Sequence, residues 1–281
     1  MEWERARTYI LLFFVLLNIL LGGLLLMERR RYTVSSTREQ AIVDIMHKNN
    51  ITMDTRLMRR FPPMRVITLG GFYYDVDELA EIFFGTTNVG RVPTNHGYTL
   101  AYGSGELVIS HGFISYDNPY GHGDNGGIAN LDRRQAQRIA DVFVRAHWSD
   151  FDLDDILIAP DWIRLTYRQV YRGYMIHSNF IEIIVTETGI VQIEMQFADI
   201  LEMDRERRPI AAPDEVLLTF VQRVRVVSPM TVTHIDLVYF QETGSTDPIG
   251  RYVAEPFYRI FIDGNDRDPF LINAFSNEII N

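Results

Sequence analysis

From Tyr9 to Met27 the chain carries nineteen residues in which Asn18 is the only strongly polar side chain. Fourteen of them are Leu, Ile, Val or Phe. As a helix rising about 1.5 Å per residue, the run covers roughly 28 Å, close to the hydrocarbon thickness of a bilayer. It predicts a transmembrane helix over 9–27. A cleaved signal peptide is the alternative, but the run is long and Leu26-Met27-Glu28-Arg29 offers no small-x-small cleavage site. The pattern favours a retained anchor.

Beyond the run the pattern changes to amphipathic helices and alternating strands. Ser35 to Asn50 reads as a helix with Ala41, Ile42, Ile45 and Met46 on its apolar face, Ser36 and Glu39 forming a capping box. A short helix begins at Asp75. Strands follow at 98–102 and 106–116, with Gly103-Ser104-Gly105 as the turn between them. A third helix over 132–148 places Ile139, Val142, Phe143 and Ala146 at helical spacing. Strands near 162–171, 180–186 and 190–197 come next. A fourth helix, 213–227, opens with Pro213, Asp214 and Glu215, and strands near 235–241, 257–263 and 270–274 close the chain. One helix followed by antiparallel strands thus recurs after Asp132 and after Pro213. The expectation is an α+β body of antiparallel sheets with packed helices in two subdomains, preceded by one N-terminal transmembrane helix. The subdomains are placed at 35–118 and 131–281, with the Gly-rich stretch 119–130 as linker.

Composition narrows the function classes. The 281 residues carry 27 Lys+Arg against 37 Asp+Glu, a net charge of −10, and Lys48 is the only lysine. Nucleic-acid binding needs clustered cations, which this balance does not favour. There is no cysteine, so disulfides, thiolate zinc sites and Cys nucleophiles are all excluded. No phosphate-cradling glycine loop, Gly-x-Ser-x-Gly elbow or His-Glu-x-x-His pair occurs. The stretch Asp263–Asp268 has Arg267 and Asp268 where a calcium loop needs a ligand and a glycine, and reads as a hairpin turn. Asp150, Asp152, Asp154 and Asp155 read as a solvated loop. His96, His111 and His122 match no ligand spacing. No cofactor, metal or enzymatic activity is expected.

Charge leaves the topology open. Arg5 and Arg7 precede the apolar run and Arg29, Arg30 and Arg31 follow it, which taken alone favours an inside C-terminus. Glu2, Glu4 and Glu28 blur that difference, and long domains can cross regardless of it. Within the run Asn18 and Gly22 lie four apart on one face, with Phe14 a turn earlier. A carboxamide and a glycine suit hydrogen bonding and close approach between helices in lipid. Single Asn and Gly residues also occur in plain tethers.

Met1-Glu2-Trp3-Glu4-Arg5-Ala6-Arg7-Thr8 entering the apolar run, with Leu17-Asn18 inside it, resembles the start of the YycI family. That family comprises single-pass regulators of the YycFG (WalRK) two-component system of Gram-positive bacteria. Gly173–Ile193 is similar to the family's strand pair joined by a turn ending in glycine. Pro256–Ile260 with Phe270–Ile280 resembles its last hairpin, and also PepSY-like modules. Ser276-Asn277-Glu278 stands where those modules have Thr-Gly-Glu, and Asn can take the same left-handed turn. The resemblance implies a cytoplasmic N-terminus (1–8), an extracytoplasmic body, a YycH-like partner and contact with a sensor histidine kinase of WalK/YycG type. Phe14, Asn18 and Gly22 are the implied transmembrane partner contacts. A PepSY-like extracytoplasmic protease inhibitor or chaperone is the alternative, and self-pairing into a homodimer stays open.

Overall fold

The computed structural model describes residues 2–71, 74–110, 112–122, 131–225, 228–246, 250–263 and 269–280. It is a mixed α+β protein whose described residues form five helices and a large, mostly antiparallel set of strands. The elements run in chain order α1 (Glu2–Arg31), α2 (Ser36–Lys48), β1 (Ile51–Met53), β2 (Ile67–Gly71), α3 (Val76–Phe84), β3 (Gly90–Thr94), β4 (Gly97–Tyr102), β5 (Gly105–Ser110) and β6 (Phe113–His122). They continue with α4 (Arg133–His147), β7 (Phe151–Ile158), β8 (Ile163–Tyr171), β9 (Tyr174–Thr186), β10 (Gly189–Gln196) and β11 (Ala198–Met203). The chain ends with α5 (Pro213–Arg223), β12 (Met230–Thr246), β13 (Tyr252–Ile262), β14 (Phe270–Asn273) and β15 (Ile279–Ile280).

Two compact units emerge, and neither is a continuous stretch of chain. The first takes Met1–Met64, Arg207–Asp236 and Tyr258–Asn281; the second takes Arg65–Glu206 and Leu237–Phe257. This partition differs from the expected subdomains at 35–118 and 131–281. The reason is long-range pairing: β6 lies antiparallel to β10, with Ser115 opposite Glu194, and β1 lies parallel to the start of β12, with Ile51 opposite Met230. Position 119, where the linker was expected, lies inside β6, which continues to His122. Residues 123–130 are outside the described residues.

In the second unit β3 to β6 form an antiparallel meander that continues through β10, β9, β8 and β7. Alternation sorts its two faces. Ile163, Leu165 and Tyr167 of β8, Ile181, Ile183 and Val185 of β9, and Ile193 and Met195 of β10 all point into one core. Leu79, Ala80 and Phe83 of α3, with Ala136, Ala140, Phe143 and Val144 of α4, cover that face. Asp132 caps α4 by accepting from the Gln135 amide at 2.7 Å, and the Gln135 side chain accepts in return from the Asp132 amide at 3.2 Å. Arg164, Thr166, Arg168, Glu182 and Glu194 alternate onto the opposite face.

In the first unit α2 packs on α5 and β1. Ser35, rather than the expected Ser36, caps α2, its hydroxyl accepting from the Arg38 amide at 3.3 Å. Arg38 then reaches Asp214 at 2.7 Å and Glu215 at 3.0 Å, both in the first turn of α5. The terminal hairpin closes through Asn277 at φ +58°, the left-handed turn expected there. The Asn273 side chain accepts from the amides of Phe275 and Ser276 at 2.8 and 3.1 Å.

Candidate functional site

Phe14, Asn18 and Gly22 all lie on α1, one above the other at four-residue spacing. Asn18 Nδ2 donates to the Phe14 carbonyl oxygen at 2.8 Å. One amide hydrogen is thereby satisfied within the helix, which leaves the second N–H and Oδ1 for a partner. At Gly22 a Cβ would meet nothing within 4 Å, so another backbone can come close there. Phe14 is 58% exposed, and Ile10, Leu11, Leu12, Phe13, Leu16 and Ile19 are exposed as well. These side chains point around the whole circumference. A helix apolar on every face needs a lipid or protein environment, because water offers its side chains no burial.

Among the described residues, no helix is long and apolar enough to cross a membrane. The side chains of residues 24–26 and 28–30, which include part of the apolar run, lie outside the described residues.

The second feature was not singled out in the sequence. On the face of the second unit's sheet opposite α3 and α4, Thr166, Glu182, Glu194 and Ser115 are register partners in succession across β8, β9, β10 and β6. Two glutamates therefore sit directly opposite each other, a destabilising arrangement unless cations intervene. Arg164 Nε lies 3.7 Å from Glu182, and Gln192 Nε2 donates to Glu194 at 3.1 Å. Arg168 bonds Asp154 at 2.6 Å and also donates to the His177 carbonyl. Burial raises the Glu182 pKa above its ordinary value; Arg164 pulls it back and Glu194 pushes it up further.

Asp154 also corrects an expectation. The acidic run 150–155, expected to be a solvated loop, enters β7, where a register shift between Leu153 and Asp155 breaks simple alternation. That irregularity hid the strand from a period-two reading. The signal that could have found the ladder is the alternation Ile163-Arg164-Leu165-Thr166-Tyr167-Arg168, which puts charge and core on opposite faces.

The arrangement can bind and orient by charge, but it holds no nucleophile–base–orienter set. Among the described residues no three His, Asp or Glu side chains are grouped to hold a metal ion. His111, the His122 side chain and 264–268 lie outside the described residues.

No family model matches the chain, and no curated protein does. Among solved structures, an uncharacterized protein from Eubacterium rectale ATCC 33656 is similar with a TM-score of 0.58 at 11% identity, over 83% of this chain and 91% of that one. The fold is shared. The Bacillus megaterium YpeB C-terminal domain is similar at a TM-score of 0.44 and 10% identity, over 75% of this chain and 97% of that one. YycH from Bacillus subtilis is similar at 0.47 and 9% identity, over 75% of this chain and 55% of that one. Those two scores are too low to carry an argument about fold or function.

Proposed function

We propose that this chain is a non-enzymatic, membrane-anchored accessory protein with its body outside the cytoplasm, acting on a sensor histidine kinase of WalK/YycG type together with a YycH-like partner. The observation that carries the reading is α1: apolar on all faces, with a carboxamide, a glycine and an exposed Phe14 on one line. The N-terminal resemblance to the YycI family supports it, as does the sequence 9–27, in which Asn18 is the only strongly polar residue. A differential helix contact on the order of 1–3 kcal/mol between two kinase states is enough to shift signalling.

A second reading, a PepSY-like inhibitor or chaperone of a protease, is favoured by the terminal hairpin with its left-handed Asn277. The two are separated by replacing α1 with a foreign anchor. Kinase regulation predicts loss of function, whereas action through the body predicts retention. Photo-crosslinking from position 18 in native membranes tests the contact itself. Capture of a sensor kinase or a YycH-like protein is the expected result; labelling of lipid alone would remove the helix-contact reading.

A further inference from the structure

Helix α4 carries Arg133, Arg134, Arg138 and Arg145 in a chain whose net charge is −10. Its inner face, Ala136, Ala140, Phe143 and Val144, is buried in the core of the second unit. Its outer face bears a shallow groove of about 680 Å³ lined by Arg134, Arg138, Asp141, Val142, Arg145 and Ala146 among others. Asp141, the single acid on the helix, accepts a hydrogen bond from the Tyr167 hydroxyl at 2.8 Å. Arg134 and Arg138 have no carboxylate within ion-pair distance among the described residues, whereas Arg38, Arg59, Arg168 and Arg259 each do. Val142 stands between the cations at 68% exposure.

We infer that the outer face of α4 docks on an anionic phospholipid surface. Arg134 and Arg138 are like charges at i, i+4, an arrangement unfavourable in an isolated helix and relieved by an external anion. Guanidinium groups bond phosphates in bidentate fashion. From Arg134 to Arg145 the cations extend roughly 16 Å along the axis, at about 1.5 Å per residue, long enough to meet more than one headgroup. An exposed valine within a basic helical face suits the boundary between headgroups and acyl chains. Acidic residues farther away than a Debye length of about 8 Å are screened from this contact, whereas Asp141, which lines the same groove, offsets one of its cations. Three arginines less the Asp141 charge leave a net two cations, which favour an anionic over a neutral surface by on the order of thirtyfold. That is weak for a free protein and sufficient for a tethered one, so the inference rests on the anchored reading for proximity.

The chain has no cysteine, so Ala146→Cys gives a single attachment point for a polarity-sensitive fluorophore. The full chain is mixed with vesicles of phosphatidylcholine alone, or of phosphatidylcholine and phosphatidylglycerol at about three to one. The expected result is a blue shift with anionic vesicles only, abolished by high salt and by Arg134→Glu/Arg138→Glu, and preserved in Arg134→Lys/Arg138→Lys. Equal exposure of the label on both vesicle types would overturn the inference. So would a shift that survives charge reversal. An unshifted label together with crosslinking from position 146 to an acidic protein in native membranes would assign the face to that protein instead. Flotation with neutral vesicles reports α1 separately: a chain that fails to float there, yet shifts its label with anionic vesicles, loses the anchor and keeps the α4 surface.

Discussion

Gly121 lies in β6 at φ +85°, and a Cβ placed on it would stand 2.0 Å from the Thr188 carbonyl oxygen in the β9–β10 turn. Gly103 also has positive φ, +61°, but nothing lies within 4 Å of its would-be Cβ. Alanine at the two positions therefore separates backbone strain from collision. Gly103→Ala is expected to cost about 1 kcal/mol, the left-handed penalty alone. Gly121→Ala is expected to cost about 2–4 kcal/mol, because one of two paired strands must move. Thermal unfolding followed by circular dichroism measures both. Glu182 makes a pH-dependent prediction. Its folded-state pKa is raised by burial, so its contribution favours folding at low pH and is lost as pH rises through the folded value. Glu182→Gln mimics the protonated form. The variant should melt above the parent at neutral pH, and the gap should close once pH falls below the ordinary glutamate range. A parent more stable than the variant at neutral pH would show that the Arg164 contact outweighs desolvation.

At the scale of elements, the first unit joins neighbouring strands through an ion pair that is buried on its arginine side and partly exposed on its aspartate side. Arg259 of β13 is 1% exposed, and its Nε donates to Asp236 Oδ1 of β12 at 2.9 Å while Nη2 donates to Oδ2. Phe261 stacks beside the guanidinium, whose carbon lies 5.1 Å from the ring centre. Asp236 is 24% exposed and keeps His234 at 3.8 Å, so Arg259→Met should cost mainly the two charge-assisted hydrogen bonds, about 2 kcal/mol. Adding Asp236→Leu should recover a large part of that loss, since an apolar pair of similar volume carries no desolvation penalty. Denaturant unfolding of both variants checks the pair, and a double variant no better than the single would show that Arg259 acts mainly through packing. Helix α5 makes the complementary point about legibility. Its start at Pro213 is marked by local residues, whereas its end at Arg223 falls short of the expected Val227.

For the whole molecule, legibility followed the range of the interaction. Helices α2 to α5 were readable because capping and a 3.6-residue apolar period are local properties. The left-handed turn at Asn277 was readable for the same reason. The expected strand over 106–116 corresponds to β5, which ends at Ser110, and β6, which starts at Phe113, and β9 is longer than expected. Strand β3, exposed at every position, and β7, with its register shift, were missed because neither shows a clean two-residue alternation. The line Phe14-Asn18-Gly22 was visible because a helix turns spacing directly into a shared face. The ladder of Arg164, Glu182 and Glu194 was not, since it joins residues up to thirty positions apart through strand register. Nor did local pattern reveal two units each assembled from separate stretches of chain. Sequence alone determined the apolar helix, the capped helices, the turns and the absence of thiol chemistry, all of which depend on neighbours along the chain. Only the tertiary structure decided which strands pair, where the units divide and which charges face one another, because those outcomes depend on contacts between distant residues that a local pattern does not encode.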